Sequence, residues 1–203
     1  AVGMDNRASS PAIAQALIRG ITSTCVNVVF VGEVTTPELY YAVHKLDMDG
    51  GINVTGSHNP PQYNGFKVLV GRDAIFGKAI QQIRKIAESK KFFDPPAQAK
   101  KSEKAKGKNG KAGKTLSGGE MHGNVGEKNI DAIYLQEIAS KVKVPRKLKV
   151  VVDTGNGMAS ELGPALLRML GCDVIELYCE KIPGYPNHIP APSQEKNVAE
   201  LKR

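Results

Sequence analysis

One stretch of this sequence carries most of its chemically able side chains: Thr55, Gly56, Ser57, His58, Asn59, Pro60, Pro61, Gln62, Tyr63, Asn64, Gly65, Phe66 and Lys67. A serine hydroxyl is a poor nucleophile at its own pKa and needs a base, a cation or a metal nearby. Here an imidazole follows at once in His58, and an ammonium stands ten positions on at Lys67. That combination suits phosphate, because moving a phosphoryl group depends on positioning it and on cancelling charge on its oxygens. Residue types alone leave a plainer reading open, with Ser57 as a turn residue and His58 as its solvated neighbour. Pro60 and Pro61 stiffen the exit from the loop, while Gly56 and Gly65 allow backbone turns that other residues resist.

The elements that would hold this loop alternate along the chain. Ala1 to Met4 reads as the end of a strand, and Asp5-Asn6-Arg7 as a turn whose two charges form a local ion pair. Ser9 or Ser10 is a candidate N-cap, with Pro11 in the first turn and Ile13, Leu17, Ile18 and Ile21 at helical spacing. Val26 to Val31 is a strand candidate. Thr35-Thr36-Pro37 opens a helix with the stripe Leu39, Tyr40, Val43 and Leu46. His44 on that helix reads as a surface or packing residue. Ile52 to Val54 delivers the serine loop and Phe66 to Val70 leaves it. From Gly77 to about Lys90 the isoleucines 80, 83 and 86 mark an amphipathic helix, closed by Pro95-Pro96. Ile130 to Val142 reads as a helix, Lys147 to Val152 as a strand, and Asp153-Thr154-Gly155-Asn156-Gly157 as a strand-to-helix turn. A helix with Leu162, Leu166, Leu167 and Leu170, stopped by Gly171, and a strand Val174 to Tyr178 follow. Ala199 to Arg203 reads as a last helix.

Composition narrows the class. The 203 residues are 41% hydrophobic and 24% charged, as in a globular protein. No stretch approaches the run of apolar residues that spans a membrane, and no signal-peptide pattern opens the chain, so a cytoplasmic location without membrane partners is expected. Cys25, Cys172 and Cys179 have no metal-ligand spacing and read as reduced structural thiols. The net charge of +8 is concentrated between Lys90 and Lys114, where nine lysines face only Asp94 and Glu103. That run has no aromatic after Phe93 and reads as a low-complexity insertion, with no specific nucleic-acid partner and at most non-specific affinity for polyanions. Gly113-Lys114-Thr115 within it lacks the earlier glycine of a P-loop, and Gly118 to Gly123 reads as an irregular linker end.

Thr55-Gly56-Ser57-His58-Asn59-Pro60 followed by Asn64-Gly65-Phe66-Lys67 resembles the active-site serine loop of the α-D-phosphohexomutases, most closely their bacterial phosphomannomutase/phosphoglucomutase branch. Gly3, Asp5, Arg7, Ser9 and Ser10 are similar to a second segment of that family, with Met4 where the family usually has arginine. The Asp153 to Gly157 turn and Pro186-Asn187-His188 resemble segments of its second domain. The resemblance implies that Ser57 carries a phosphoryl group, that His58 and Lys67 are its acid/base and positioning partners, and that Asn59 supports the loop and, with Lys67, meets the substrate. It further implies Mg²⁺, with Ser57 a ligand through its phosphate, a hexose phosphate of mannose or glucose as substrate, and a hexose 1,6-bisphosphate as intermediate and activator.

The fold expected from alternation and resemblance together is α/β, with three-layer αβα sheet domains, one near-complete and one partial. Residues 1–93 would form the first domain, lacking its family's first strand and helix. Residues 94–128 would form a basic low-complexity linker, and 129–203 a partial second domain. The metal loop and the later sugar-binding loops of the family have no counterpart in this sequence, so the chain reads as a piece of a longer enzyme, inactive by itself. A non-catalytic remnant or assembly module binding a phosphosugar or a polyanion is the alternative.

Overall fold

The computed structural model describes residues 1–93 and 123–203. Its larger sheet has six strands: β1 (Val2–Met4), β2 (Val28–Glu33), β3 (Gly50–Val54), β4 (Phe66–Val70), β5 (Asp73–Ala74) and β6 (Val125–Glu127), in the order β5-β4-β3-β1-β2-β6. The β1–β2, β1–β3 and β2–β6 pairs are parallel, whereas β3–β4 and β4–β5 are antiparallel. Three helices accompany the first five strands: α1 (Ser10–Thr22), α2 (Thr36–Lys45) and α3 (Lys78–Ser89). After β6 come α4 (Asp131–Lys141), β7 (Lys149–Asp153), α5 (Leu162–Met169) and β8 (Asp173–Leu177), with β7 and β8 paired in parallel as a separate small sheet.

Alternation along the strands sorts the helices onto two faces. Met4 and Phe30 share a groove with Pro11, Ala14 and Ile18 of α1. Val29 and Val31, offset by one residue, turn instead to the main core with Val34, Leu39, Ala42, Val43, Leu69 and Ile130. α2 and the start of α4 therefore cover the face opposite α1, which is the layered arrangement that the alternating elements predict. The two covering helices are fastened to each other at Glu137, which accepts from the Tyr41 hydroxyl (2.8 Å), Lys45 (3.0 Å) and Lys141 (2.7 Å). Those partners, Lys141 foremost, hold its carboxyl down to about 2.

Several local expectations change. Ser9 stands at the N-cap of α1, yet its side chain makes no capping bond, because both serine hydroxyls there accept from Asn64 instead (3.0 and 2.9 Å). At α2 the cap forms as the sequence predicts, a reciprocal box between Thr35 and Glu38. α3 is closed by a left-handed Lys90, before the two prolines, and none of its residues is buried. Of its apolar stripe Ile80 is half-buried beside Tyr40, Phe66 and Phe76, while Ile83 and Ile86 are exposed. The last residues form no regular helix; a 3-10 turn, Glu195–Val198, is followed by turns.

The stretch read as a linker contributes β6, whose docking on β2 is led by the Val28 amide donating to the Asn124 carbonyl at 2.8 Å. Residues 94–122, with the lysine run, the partial P-loop pattern and most of the Gly118 to Gly123 segment, lie outside the described residues. Among the described residues no helix is long and apolar enough to cross a membrane.

Glu38 is buried, and its Oε1 has no hydrogen-bond partner among the described residues while the other oxygen accepts from the Thr35 amide. Burial pushes its carboxyl above the ordinary value of 4.5. A carboxyl raised by folding binds its proton more tightly in the native state, so its contribution is full below pH 4.5 and is lost as pH rises through the raised native value. Glu38→Gln keeps the cap acceptor and removes the charge. We expect the variant's urea midpoint to fall less than that of the parent as pH rises from 4.5 to neutrality. Parallel midpoints over that range would show that Glu38 does not titrate between the two states.

Candidate functional site

β3 ends at Val54 and β4 begins at Phe66 in antiparallel register, so the loop between them leaves and re-enters the sheet at one place. The Thr55 amide closes its neck by donating to the Gly65 carbonyl at 2.9 Å. The left-handed residue of the loop is Ser57, at φ 53°, and neither Gly56 nor Gly65 has a positive φ. For a non-glycine residue that conformation costs roughly 1–2 kcal/mol. Gly56 is required for a different reason: a Cβ there would lie 2.4 Å from Cζ of Arg7.

Arg7 is 1% exposed and lies under the loop. Its Nε donates to Oδ2 of Asp5 at 3.0 Å. Nη1 donates to the carbonyls of Pro60 (2.7 Å) and Tyr63 (3.0 Å), and Nη2 to those of Ser57 (2.8 Å) and Asn59 (2.9 Å). Asp5 in turn accepts from the Arg7 amide (3.2 Å), the Ser10 hydroxyl (2.5 Å) and the Gly56 amide (3.0 Å). Asn59 closes the loop's first turn by giving both its side-chain and its backbone N–H to the Gly56 carbonyl (2.9 and 3.1 Å).

The hydroxyl of Ser57 and the ring of His58 are left outward, both residues being exposed. Ser57 donates its amide to the Thr55 hydroxyl (3.0 Å), and its own hydroxyl has no hydrogen bond among the described residues. His58 sets Nδ1 2.5 Å from the Pro190 carbonyl. A carbonyl only accepts, so this contact puts the ring proton on Nδ1 and leaves the lone pair on Nε2. Lys67 sits on β4 opposite Asn53, exposed on the wall of a groove of about 410 Å³ with Tyr40, Phe66 and Phe76. Ser57, His58 and Asn59 are thus brought together on one loop, while no hydrogen bond joins Lys67 to them.

The later part of the chain reaches this loop. Asn6 donates to the Asn156 carbonyl (3.0 Å) and accepts from the Tyr185 hydroxyl (3.4 Å). The Tyr185 ring lies 5.4 Å from the Arg7 guanidinium, and burial pushes its phenol up, so the hydroxyl remains a donor. The segment that carries Pro190 is steadied by His188, whose Nε2 meets both oxygens of Asp153 at 3.0 Å. Gly155 is at φ +54°, and a Cβ there would meet the His188 ring at 2.9 Å, so this turn packs the histidine. Asp5, Arg7, Asn156, Tyr185 and Pro190 were not singled out as site residues by sequence reasoning. For Asp5, Arg7 and Asn156 the available signal was the density of polar residues directly after β1 and β7, which reads as ordinary turn chemistry; Tyr185 and Pro190 follow β8 and carry no such signal.

Mg²⁺, implied by the resemblance, finds no fit in the described residues. Among them no group of three or more His, Cys, Asp or Glu side chains could hold a metal ion, and Asp47 and Asp49, the acidic pair closest to the loop in sequence, are exposed. Ser57 offers one oxygen ligand through a phosphate, which is not a site by itself.

Residues 1–94 match the family described as phosphoglucomutase/phosphomannomutase, alpha/beta/alpha domain I, and residues 132–203 match its alpha/beta/alpha domain II. A phosphoglucomutase of Neisseria gonorrhoeae is 36% identical over 99% of this chain, and a phosphomannomutase/phosphoglucomutase of Pseudomonas aeruginosa is 37% identical over 99%. The chain spans 38% of the length of each. The crystal structure of a phosphoglucomutase/phosphomannomutase family protein from Burkholderia thailandensis superposes with a TM-score of 0.80 at 32% identity, covering 98% of this chain and 40% of that one.

Proposed function

Because the chain belongs to the phosphoglucomutase/phosphomannomutase family and carries its domains I and II, we propose that it supplies the phosphoryl-carrying part of an enzyme interconverting hexose 1-phosphate and hexose 6-phosphate. The observation that carries this reading is the presentation of Ser57. Its backbone is held in a strained conformation by a buried network, while its hydroxyl is left exposed and unbonded. An ordinary turn serine has no need of that support.

In the forward step the Oγ–P bond of phosphorylated Ser57 breaks as a new P–O bond forms to a hydroxyl of the bound hexose phosphate. The hydroxyl proton passes by way of Nε2 of His58, the nitrogen that the Pro190 contact leaves unprotonated, to the departing Oγ of Ser57. The product is a hexose 1,6-bisphosphate, which reorients and returns its other phosphoryl group to Ser57, the proton retracing its path. Lys67 supplies positive charge at the loop's exit, and Asn59 holds the turn and lines the substrate side. Mg²⁺, on which the family generally depends, would supply charge neutralisation, with Ser57 offering one ligand through its phosphate; the described residues do not complete a site for it. Domain I in this reading is residues 1–93, its sheet completed by β6, and domain II residues 129–203, with the rest of 94–128 the connection between them. Hexose phosphates and reduced thiols point to a cytoplasmic setting.

Ser57 is expected to be phosphorylated after incubation with glucose 1,6-bisphosphate. Phosphopeptide mass spectrometry locates the group, and a label found only on another residue would sink the assignment. Removing Lys100 to Lys114 is expected to leave that labelling within about twofold of the parent, since no residue assigned to the transfer lies between them. A large loss of labelling at unchanged stability would give the lysine run a role.

A further inference from the structure

We propose that Arg7 is the positioning residue of the serine loop, and that Tyr185 of the second domain ties its hold to the rest of the chain. This rests on the reading of Ser57 as phosphoryl carrier. A guanidinium has five N–H donors in a rigid fork, and here each meets its own acceptor. One is Asp5; the other four are carbonyls of Ser57, Asn59, Pro60 and Tyr63, spread along the loop. One buried cation therefore fixes the backbone before, within and after the turn. The αL conformation of Ser57 persists only where surroundings over-determine it, and Nη2 of Arg7 grips the carbonyl of that very residue.

The loop's sequence makes room for the grip. Gly56 passes over the guanidinium so closely that a Cβ would lie 2.4 to 2.7 Å from Cζ, Nε and Nη1. Its amide donates to Asp5, so the ion pair holds the loop from both ends of the contact. The other side of Arg7 is met by the Tyr185 ring, a cation–π contact from the second domain, and Tyr185 also donates to Asn6 beside it. All five donors are consumed within the protein, so Arg7 does not touch the reacting group and acts through the backbone of Ser57. A lysine would keep the charge but not the geometry, since three donors on one nitrogen cannot reach four separated carbonyls.

The amides of Gly56, Asn59 and Tyr63 are all hydrogen-bonded within this arrangement, and their hydrogen exchange on the 203-residue chain reads it directly. In the parent they should exchange at least about tenfold more slowly than an unstructured peptide, although the loop is exposed. In Arg7→Lys, and independently in Gly56→Ala, their rates should rise at least about tenfold more than those of the β7–β8 amides. Tyr185→Leu should give a smaller rise at the same three amides. A rise shared equally by β7–β8 would show a merely structural arginine and overturn the proposal. Exchange at unstructured rates in the parent would overturn it too, whether or not the variants fold. The readout needs no turnover, so a protected loop whose Ser57 never takes a phosphoryl group would count against the phosphoryl reading and not against the positioning by Arg7.

Discussion

Purified alone, these 203 residues are expected to turn over glucose 1-phosphate or mannose 1-phosphate at least about a thousandfold more slowly than a complete relative, even with Ser57 phosphorylated and Mg²⁺ present. The described loop offers the migrating phosphoryl group one imidazole and one ammonium, with no cluster of carboxylates to hold a metal beside it. Each missing donor aimed at developing charge costs on the order of 10²–10³ in rate. Weak binding of a sugar phosphate at Lys67 and His58 is compatible with this account, since binding without charge stabilisation in the transition state does not accelerate transfer. A coupled assay with an activating sugar bisphosphate makes the measurement. Turnover near that of a complete relative would mean that the residues needed for charge neutralisation are already present in this chain.

The second large effect is on stability. Asp5→Ala is expected to destabilise the chain by about 3–5 kcal/mol, the usual cost of leaving one partner of a buried ion pair without the other. The side chains of Asp5 and Arg7 are 5% and 0% exposed, so water cannot replace the lost carboxylate without opening the loop. The variant also strands the Gly56 amide and the Ser10 hydroxyl. Asp5→Asn, which keeps one acceptor oxygen in place, should cost less. Urea unfolding curves of the two variants and the parent test the order. A loss below about 1 kcal/mol for Asp5→Ala would mean that the pair is no more than the surface bridge a turn sequence suggests.

That contrast shows where sequence reading works and where it stops. The strands and helices were legible because each buries a face at a regular spacing, as with Leu39 and Val43 on α2 or Val29 and Val31 on β2. The serine loop was legible because its residue types are dense and unusual. Arg7 was read as a turn charge because its partners are carbonyls, and a carbonyl leaves no mark in the sequence. The same holds for Pro190, which meets His58 through its backbone. Gly56 drew the ordinary glycine explanation, a need for positive φ, whereas its neighbour Ser57 takes that conformation and Gly56 makes way for a side chain. β6 was missed because Val125–Glu127 is short, its pattern lacks alternation, and only its position beside β2 makes it a strand.

The strand order gives the first domain an uncommon covalent economy. The chain leaves the six-stranded sheet at one edge, through β5 and α3, and comes back at the opposite edge as β6, five strand spacings or about 24 Å away. The described elements on either side of residues 94–122 are thus anchored to the sheet independently. A chain cut between 94 and 122 would keep β6 and α4 docked by their ladder with β2 and by the Tyr41, Lys45 and Glu137 contacts. A nicked molecule would therefore migrate as one particle on a sizing column and separate into two polypeptides only in denaturant. The unit that carries the serine loop is in this sense assembled from two stretches of chain, and its integrity depends on pairing across a sheet edge more than on continuity of the backbone.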